Sequence, residues 1–149
     1  MPIIRIENFI KAPPNKIFDL CLDMNVHQVG MSCYREEAIG GVTKSLISLG
    51  DNGTWRAKHF GFFQKLTVQI TELDSPIYFA DEMIKGTFKR FKHSHFFNEK
   101  EEGTLIVDVF DFNSPLGIIG KLVDKFIMTK YMTKLLIKKN KHLKRQAQS

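Results

Sequence analysis

The segment from Ser114 to about Gln146 constrains the fold of this chain more than any other. Leu116, Ile119, Val123, Phe126, Ile127, Tyr131, Leu135 and Leu136 recur at spacings of three and four, the period of one helical face. Lys121, Lys125, Lys130, Lys134, Lys138 and Lys141 fall mostly between them. Ser114-Pro115 suits the start of such a helix, because the serine hydroxyl can accept hydrogen bonds from free N–H groups and proline fits the first turn. Some thirty residues rising about 1.5 Å each would span about 45 Å. A helix that long and half apolar needs a broad apolar partner, which the preceding chain can supply only as a sheet.

The preceding sequence reads as that sheet. Ile3 to Ile10 alternates as a strand. Ala12-Pro13-Pro14-Asn15 breaks it and launches a short helix over Lys16 to Leu22, and Asp23 to Gly30 reads as a second short helix or turn. Tyr34 to Ile39 reads as a strand interrupted by Gly40-Gly41. Lys44 to Leu49 precedes Gly50-Asp51-Asn52-Gly53, which has hairpin-turn composition. Thr54 to Phe60, Phe62 to Leu73, Ile77 to Lys85, Thr87 to Asn98 and Thr104 to Phe112 follow, joined by short polar or glycine-bearing turns. Strands linked so briefly pair antiparallel. No repeat, low-complexity tract or linker divides the chain, so one domain over residues 1–149 is expected.

Charge is distributed unevenly. From Lys121 onward there are nine Lys or Arg against one Asp, whereas the part before it has thirteen against fifteen Asp or Glu. The basic character of a chain of net charge +6 therefore belongs to the last helix and its tail. Cations there complement the helix dipole and keep an exposed end in water; contact with an anionic membrane surface is the alternative. No second basic stripe or recognition motif supports nucleic-acid binding. No apolar run approaches the roughly 18 residues that span a bilayer, and the N-terminus reads as a strand and not as a leader, so a cytoplasmic protein is expected. Cys21 and Cys33 belong to no Cys-x-x-Cys motif and are expected to be free thiols. No nucleophile elbow, phosphate-binding loop or His-Glu-x-x-His motif occurs, and no cofactor is expected.

Several stretches carry a family likeness: Ile10-Lys11-Ala12-Pro13 followed by Ile17-Phe18-Asp19-Leu20; Gly50-Asp51 before Thr54-Trp55-Arg56-Ala57-Lys58-His59-Phe60-Gly61; Asp81-Glu82-Met83; Phe91-Lys92-His93-Ser94-His95-Phe96; and Asp108-Val109-Phe110-Asp111-Phe112 running into Ser114-Pro115-Leu116-Gly117. In these and in its element order the chain resembles the START-like, or SRPBCC, superfamily, in the bacterial branch of polyketide cyclase/dehydrase-like and ligand-binding proteins. The resemblance implies an α+β helix-grip fold: a curved antiparallel sheet of about six or seven strands around a long C-terminal helix, with two short helices after the first strand. It also implies binding of a hydrophobic small molecule, as carrier or sensor, between sheet and helix. The alternative is an aromatase/cyclase-type enzyme with cavity His and Asp residues as acid and base.

Strand alternation selects the cavity-facing residues. Trp55, Ala57 and His59 share a face opposite Arg56 and Lys58; Phe79, Asp81 and Met83 share another; Phe91, His93, His95 and Phe97 a third. The last strand is ambiguous, because Leu105-Val107-Val109 and Ile106-Asp108-Phe110-Phe112 are both largely apolar; the second set would add Asp108 and Phe110. With Leu116, Val123, Phe126 and Ile127 of the helix, these outline a ligand cavity. Three roles compete for its polar members: a satisfied buried network, orientation of a hydroxyl or carbonyl on an apolar ligand, or acid/base and metal chemistry. His93-Ser94-His95 puts two imidazoles on one face, but without defined further ligands no metal is expected. Thirteen phenylalanines exceed easy burial, and the adjacent pairs Phe62-Phe63 and Phe96-Phe97 suit a pocket mouth or a homodimer contact.

Overall fold

A computed structural model describes residues 3–24, 26, 36–42, 46–59, 62–113 and 124–148. Seven strands form one antiparallel sheet: β1 (Ile3–Ile10), β2 (Glu37–Gly41), β3 (Asn52–His59), β4 (Phe62–Asp74), β5 (Tyr78–Lys85), β6 (Arg90–Lys100) and β7 (Gly103–Asn113). Their order is β1-β7-β6-β5-β4-β3-β2. The meander from β2 to β7 thus ends beside β1, which pairs with β7 from Ile3↔Asp111 to Ile10↔Thr104. Helix α1 (Pro14–Leu22) follows β1, and helix α2 (Thr129–Gln148), preceded by a wider π-helical turn over Asp124–Met128, ends the chain. The helix-grip architecture inferred above is the one observed.

Alternation decides which face is covered. On β6, Phe91, His93, His95 and Phe97 are buried. On the outward face, Lys92 pairs with Glu72, Arg90 reaches Asp111 with two 3.1 Å hydrogen bonds, and Arg56 pairs with Glu37. Such exposed pairs contribute at most about 1 kcal/mol each, so the inner face carries the fold. On β7 the ambiguous alternation resolves in favour of Ile106, Asp108, Phe110 and Phe112 as the buried even-numbered set. In α1, Pro14 occupies the first turn, where a missing N–H costs nothing, and Ile17, Phe18 and Leu22 are buried. The Phe18 ring meets Phe79 and Phe97 edge-on, 5.5 and 5.2 Å between centroids. The two helices also clasp each other: Lys16 Nζ donates to the Ala147 carbonyl at 2.8 Å, satisfying one of the free carbonyls of the α2 C-terminus.

Three expectations need correction. Within Lys44 to Leu49, the described residues Leu46 to Leu49 form no strand: Leu46 makes a single bridge to Asp23, and the Ile47 N–H donates to the Leu22 carbonyl. The Asp51 carboxylate then accepts hydrogen bonds from the Ser48 N–H and hydroxyl and closes a turn. Asn52 and Gly53 accordingly open β3 and are not part of a hairpin tip. Second, β2 runs through Gly40-Gly41; Gly41 has φ +63°, and a Cβ there would lie 2.2 Å from the Asn52 carbonyl oxygen, so glycine is required. Third, Phe126 and Ile127 do not face the sheet; they are 60% and 53% exposed. The face that packs is instead Met128, Tyr131, Met132, Leu135, Leu136, Leu143 and Ala147. A π-helical turn takes more residues than an α-helical one, so a spacing of three and four does not continue through it. The proposed start at Ser114, with Leu116 and Val123, lies outside the described residues, as do Cys33, Phe60 and most of Asp23 to Gly30.

Candidate functional site

Two cavities lie between sheet and α2. One, of about 90 Å³, abuts α1 and is walled by Leu20, Cys21, Leu22, Ile47, Phe79, His95, Ile106, Asp108, Asn140 and Leu143. The other, of about 160 Å³, lies toward the start of α2, with Ala57, His59, Leu66, Phe88, Phe91, Phe110, Tyr131, Met132 and Leu136 in its wall. Trp55, Val68, Asp81, His93 and Lys139 line both. The two cavities, the α1 lobe and the β3 lobe, thus share a wall, and its polar members form a waist between them.

Of the residues expected to line a cavity, Trp55, His59, Phe79, Asp81, Phe91, His93, His95, Asp108 and Phe110 do so. Met83 shares their face and packs partly buried against the core, but lines neither lobe. Phe126 and Ile127 lie outside for the reason given above. Among the lining residues not anticipated are Cys21 from α1, and Tyr131, Lys139 and Asn140 from α2. Tyr131 was legible as part of the helical face. Asn140 was hidden in a lysine-rich run, although it stands four residues after Leu136 and three before Leu143, the spacing of the buried face.

The waist is a charge network assembled by register. His95 on β6 pairs with Asp108 on β7 and with Phe79 on β5, while Asp81 pairs with His93. That brings Asp81 and Asp108 to either side of the His95 ring. The Nδ1 of His95 lies 2.7 Å from Asp108 Oδ1, and its Nε2 lies 3.1 Å from Asp81 Oδ1. The other Asp108 oxygen accepts a 2.9 Å hydrogen bond from Asn140 Nδ2. Asn8 on β1 in turn donates to the Asn140 carbonyl at 3.2 Å, tying helix and sheet to the same carboxylate.

Both ring nitrogens of His95 face carboxylate oxygens, so one gap is filled by a ring N–H and the other favours a second proton or a cation. Burial alone would push the imidazole pKa down; Asp108 and Asp81 outweigh it and raise it. Burial would likewise push both carboxyls up, but the neighbouring imidazoles hold Asp81 below and Asp108 well below the usual carboxylate range. His93, two residues away, behaves oppositely: burial and the charge of His95 depress it to about 4. It is 5% exposed, its ring centroid is 3.9 Å from that of His95, and its Nε2 has no hydrogen-bond partner. The nearest carboxylate oxygen, Asp108 Oδ1, is 3.6 Å from that nitrogen, beyond hydrogen-bond range. Two adjacent histidines are thus shifted in opposite directions, His95 toward its protonated form and His93 toward a neutral ring whose Nε2 has no hydrogen-bond partner. In the β3 lobe, His59 is lowered by burial and hydrogen-bonds through Nδ1 to the Tyr131 hydroxyl. Burial raises the Cys21 thiol, which makes it a poor nucleophile.

No protein-family model matches the chain, and no curated protein does. Solved structures do. Protein TTHA0849 from Thermus thermophilus superposes with a TM-score of 0.79 at 20% identity, covering 98% of this chain and 97% of that one. Major latex-like protein 151 from Panax ginseng superposes at 0.73 and 15% identity, covering 99% and 98%. Ara h 8.0201 does so at 0.66 and 12% identity, covering 98% and 97%. Among the described residues, no helix is long and apolar enough to cross a membrane. Sheet order, the C-terminal helix lying across the sheet, and these end-to-end superpositions together establish that the chain has the START-like (SRPBCC) helix-grip fold.

Proposed function

We propose that this protein binds a hydrophobic small molecule in the space between sheet and α2, and that the polar waist grips one hydroxyl or carbonyl of it. The observation that carries this reading is the division of labour along the cavity. Apolar walls from Leu20 and Phe79 in the α1 lobe and from Phe91, Phe110 and Leu136 in the β3 lobe surround Asp81, His93 and Lys139, which line both, and His95 beside them in the α1 lobe. Apolar enclosure supplies affinity, and a few converging polar groups supply orientation. Taken together the lobes approach the lower end of ordinary ligand pockets, about 300 Å³, so a ligand filling both passes beside His93. The fold shared with the structures above is compatible with this role without specifying it.

The chain's single tryptophan lines both lobes and serves as a reporter. Native mass spectrometry of protein purified without added ligand, followed by denaturing extraction, is expected to reveal a co-purifying apolar molecule. Adding that molecule back is expected to change Trp55 fluorescence saturably at one equivalent. If nothing co-purifies and an environment-sensitive apolar fluorophore also fails to bind saturably, the reading is wrong.

One observation favours a second reading. His93 and His95, with ring centroids 3.9 Å apart, are shifted in opposite directions, down and up, an arrangement suited to moving a proton on a bound carbonyl compound, as in an aldol-type ring closure of the aromatase/cyclase kind. His93→Ala separates the two: turnover lost with ligand retained supports catalysis, whereas equal loss of binding supports orientation alone.

A further inference from the structure

Among the described residues, one ring nitrogen each from His93 and His95 and a carboxylate oxygen of Asp81 all lie within 4.8 Å of one another. We propose that these three side chains bind a divalent transition-metal ion of the zinc, cobalt or iron(II) class, with the open side of the metal facing the cavity.

Three features of the site support a metal. The first is spacing. Bonds of about 2.1 Å to nitrogen and oxygen put neighbouring ligands about 3.0 to 3.4 Å apart. The His95 Nε2 to Asp81 Oδ1 edge already measures 3.1 Å, and small side-chain rotations bring in the third donor. The second is preorganisation. The Nδ1 of His95 is held by Asp108 at 2.7 Å, and Asp108 is held by Asn140. A carboxylate on the far nitrogen of a metal-bound histidine fixes its tautomer and its direction, and here it leaves Nε2 pointing at Asp81. The third is the buried Nε2 of His93, which no protein group satisfies. A buried polar nitrogen without a partner is rare, and its ring borders both lobes beside the other two donors.

Charge points the same way. Asp81 and Asp108 are two carboxylates in a buried space, and Lys139 is the cation that α2 brings to its lining. A divalent cation between His95 and Asp81 offsets carboxylate charge there and uses all three donors. Two imidazoles and one carboxylate suit zinc or iron(II), and three protein ligands leave positions open for water or a ligand oxygen.

The test uses the full chain, stripped with a chelator and titrated with Co²⁺ and separately with Zn²⁺. One equivalent of Co²⁺ is expected to give visible d–d absorption, Zn²⁺ is expected to displace it, and thermal stability is expected to rise with either ion. His93→Gln and Asp81→Asn, which keep side-chain size, are expected to weaken Co²⁺ binding at least tenfold. Asp108→Asn, a change at a positioning residue, is expected to weaken it by about 10- to 100-fold while the bands persist at saturation. Circular dichroism and thermal melts establish that each metal-free variant folds, and in any that does not, histidine ring resonances of wild-type protein shifted by Co²⁺ identify the ligands instead. Absence of a one-equivalent Co²⁺ complex, or a complex unaffected by both His93→Gln and Asp81→Asn with unshifted His93 and His95 resonances, overturns the proposal.

Discussion

The two lobes use histidine in opposite ways. In the α1 lobe His95 is enclosed by Asp81, Asp108 and, through Asp108, Asn140, so that both of its ring nitrogens face carboxylates. In the β3 lobe His59 is half-buried and joined to one phenol, Tyr131, from the helix. A closed network on three strands and a helix is coupled to folding, because removing one member strands a buried charge. The His59–Tyr131 hydrogen bond involves no carboxylate, so its loss strands no partner charge and leaves a site where a ligand can bind. The α1 lobe is thus the structural anchor of the polar waist, and the β3 lobe is the adaptable end.

The largest expected effect is at that anchor. Asp108→Ala removes the carboxylate shared by His95 and Asn140 and leaves His95 Nδ1 and the Asn140 amide without it. It is expected to cost about 3 to 5 kcal/mol, the range for breaking one side of a buried ion pair, read by urea unfolding of metal-free protein. A cost below about 1 kcal/mol would show that the network is not closed and would erase the contrast between lobes.

Acid comes next, and its sign follows from the two neighbouring histidines. His93 is depressed to about 4 in the folded chain, so it withholds a proton that the unfolded chain takes up from about pH 6.5. Its contribution is complete above that value and is lost as pH falls toward 4, by up to about 3 kcal/mol. Asp81 and Asp108, both depressed, extend the loss below the ordinary carboxylate range. His95 is raised, so its contribution is complete below about pH 6.5 and is lost as pH rises through its folded value. Metal-free protein is therefore expected to be most stable near neutrality, with an acid limb that His93→Gln flattens. An unchanged limb in that variant would place the acid sensitivity elsewhere.

Much of this waist was legible before any coordinates. His93 and His95 alternate with Lys92 and Ser94, and Trp55 and His59 with Arg56 and Lys58; charges that belong in water identify the opposite face. The same logic could not choose a face for β7, because both of its alternating sets are apolar, and only its place between β1 and β6 puts Asp108 against His95. Lys44 to Leu49 had a strand's composition, but the Asp51 side chain competed for its backbone and won. The partners of the waist on α2 were obscured by composition, since Asn140 and Lys139 sit among lysines that otherwise mark the exposed side.

A smaller effect tests the adaptable lobe. Tyr131→Phe keeps the ring and removes the hydroxyl bound to His59. It is expected to cost about 1 kcal/mol or less while altering the affinity for any ligand that reaches His59. A destabilisation as large as that of Asp108→Ala would make the two lobes alike.

The smallest effect concerns where the β3 lobe ends. Counting back four residues from Tyr131 reaches Ile127, which a continuous α-helix would place on the same face. The π-helical turn over Asp124–Met128 breaks that count, and Met128 packs on the core in its place while Ile127 is 53% exposed. Ile127→Ser is therefore expected to change stability by no more than about 0.5 kcal/mol, as at ordinary surface positions. Leu135→Ala, on the buried side of the same helix, is expected to cost about 2 to 5 kcal/mol. A cost above about 1 kcal/mol for Ile127→Ser would mean that the apolar wall continues past Met128 along the same face. The β3 lobe would then extend beyond its 160 Å³.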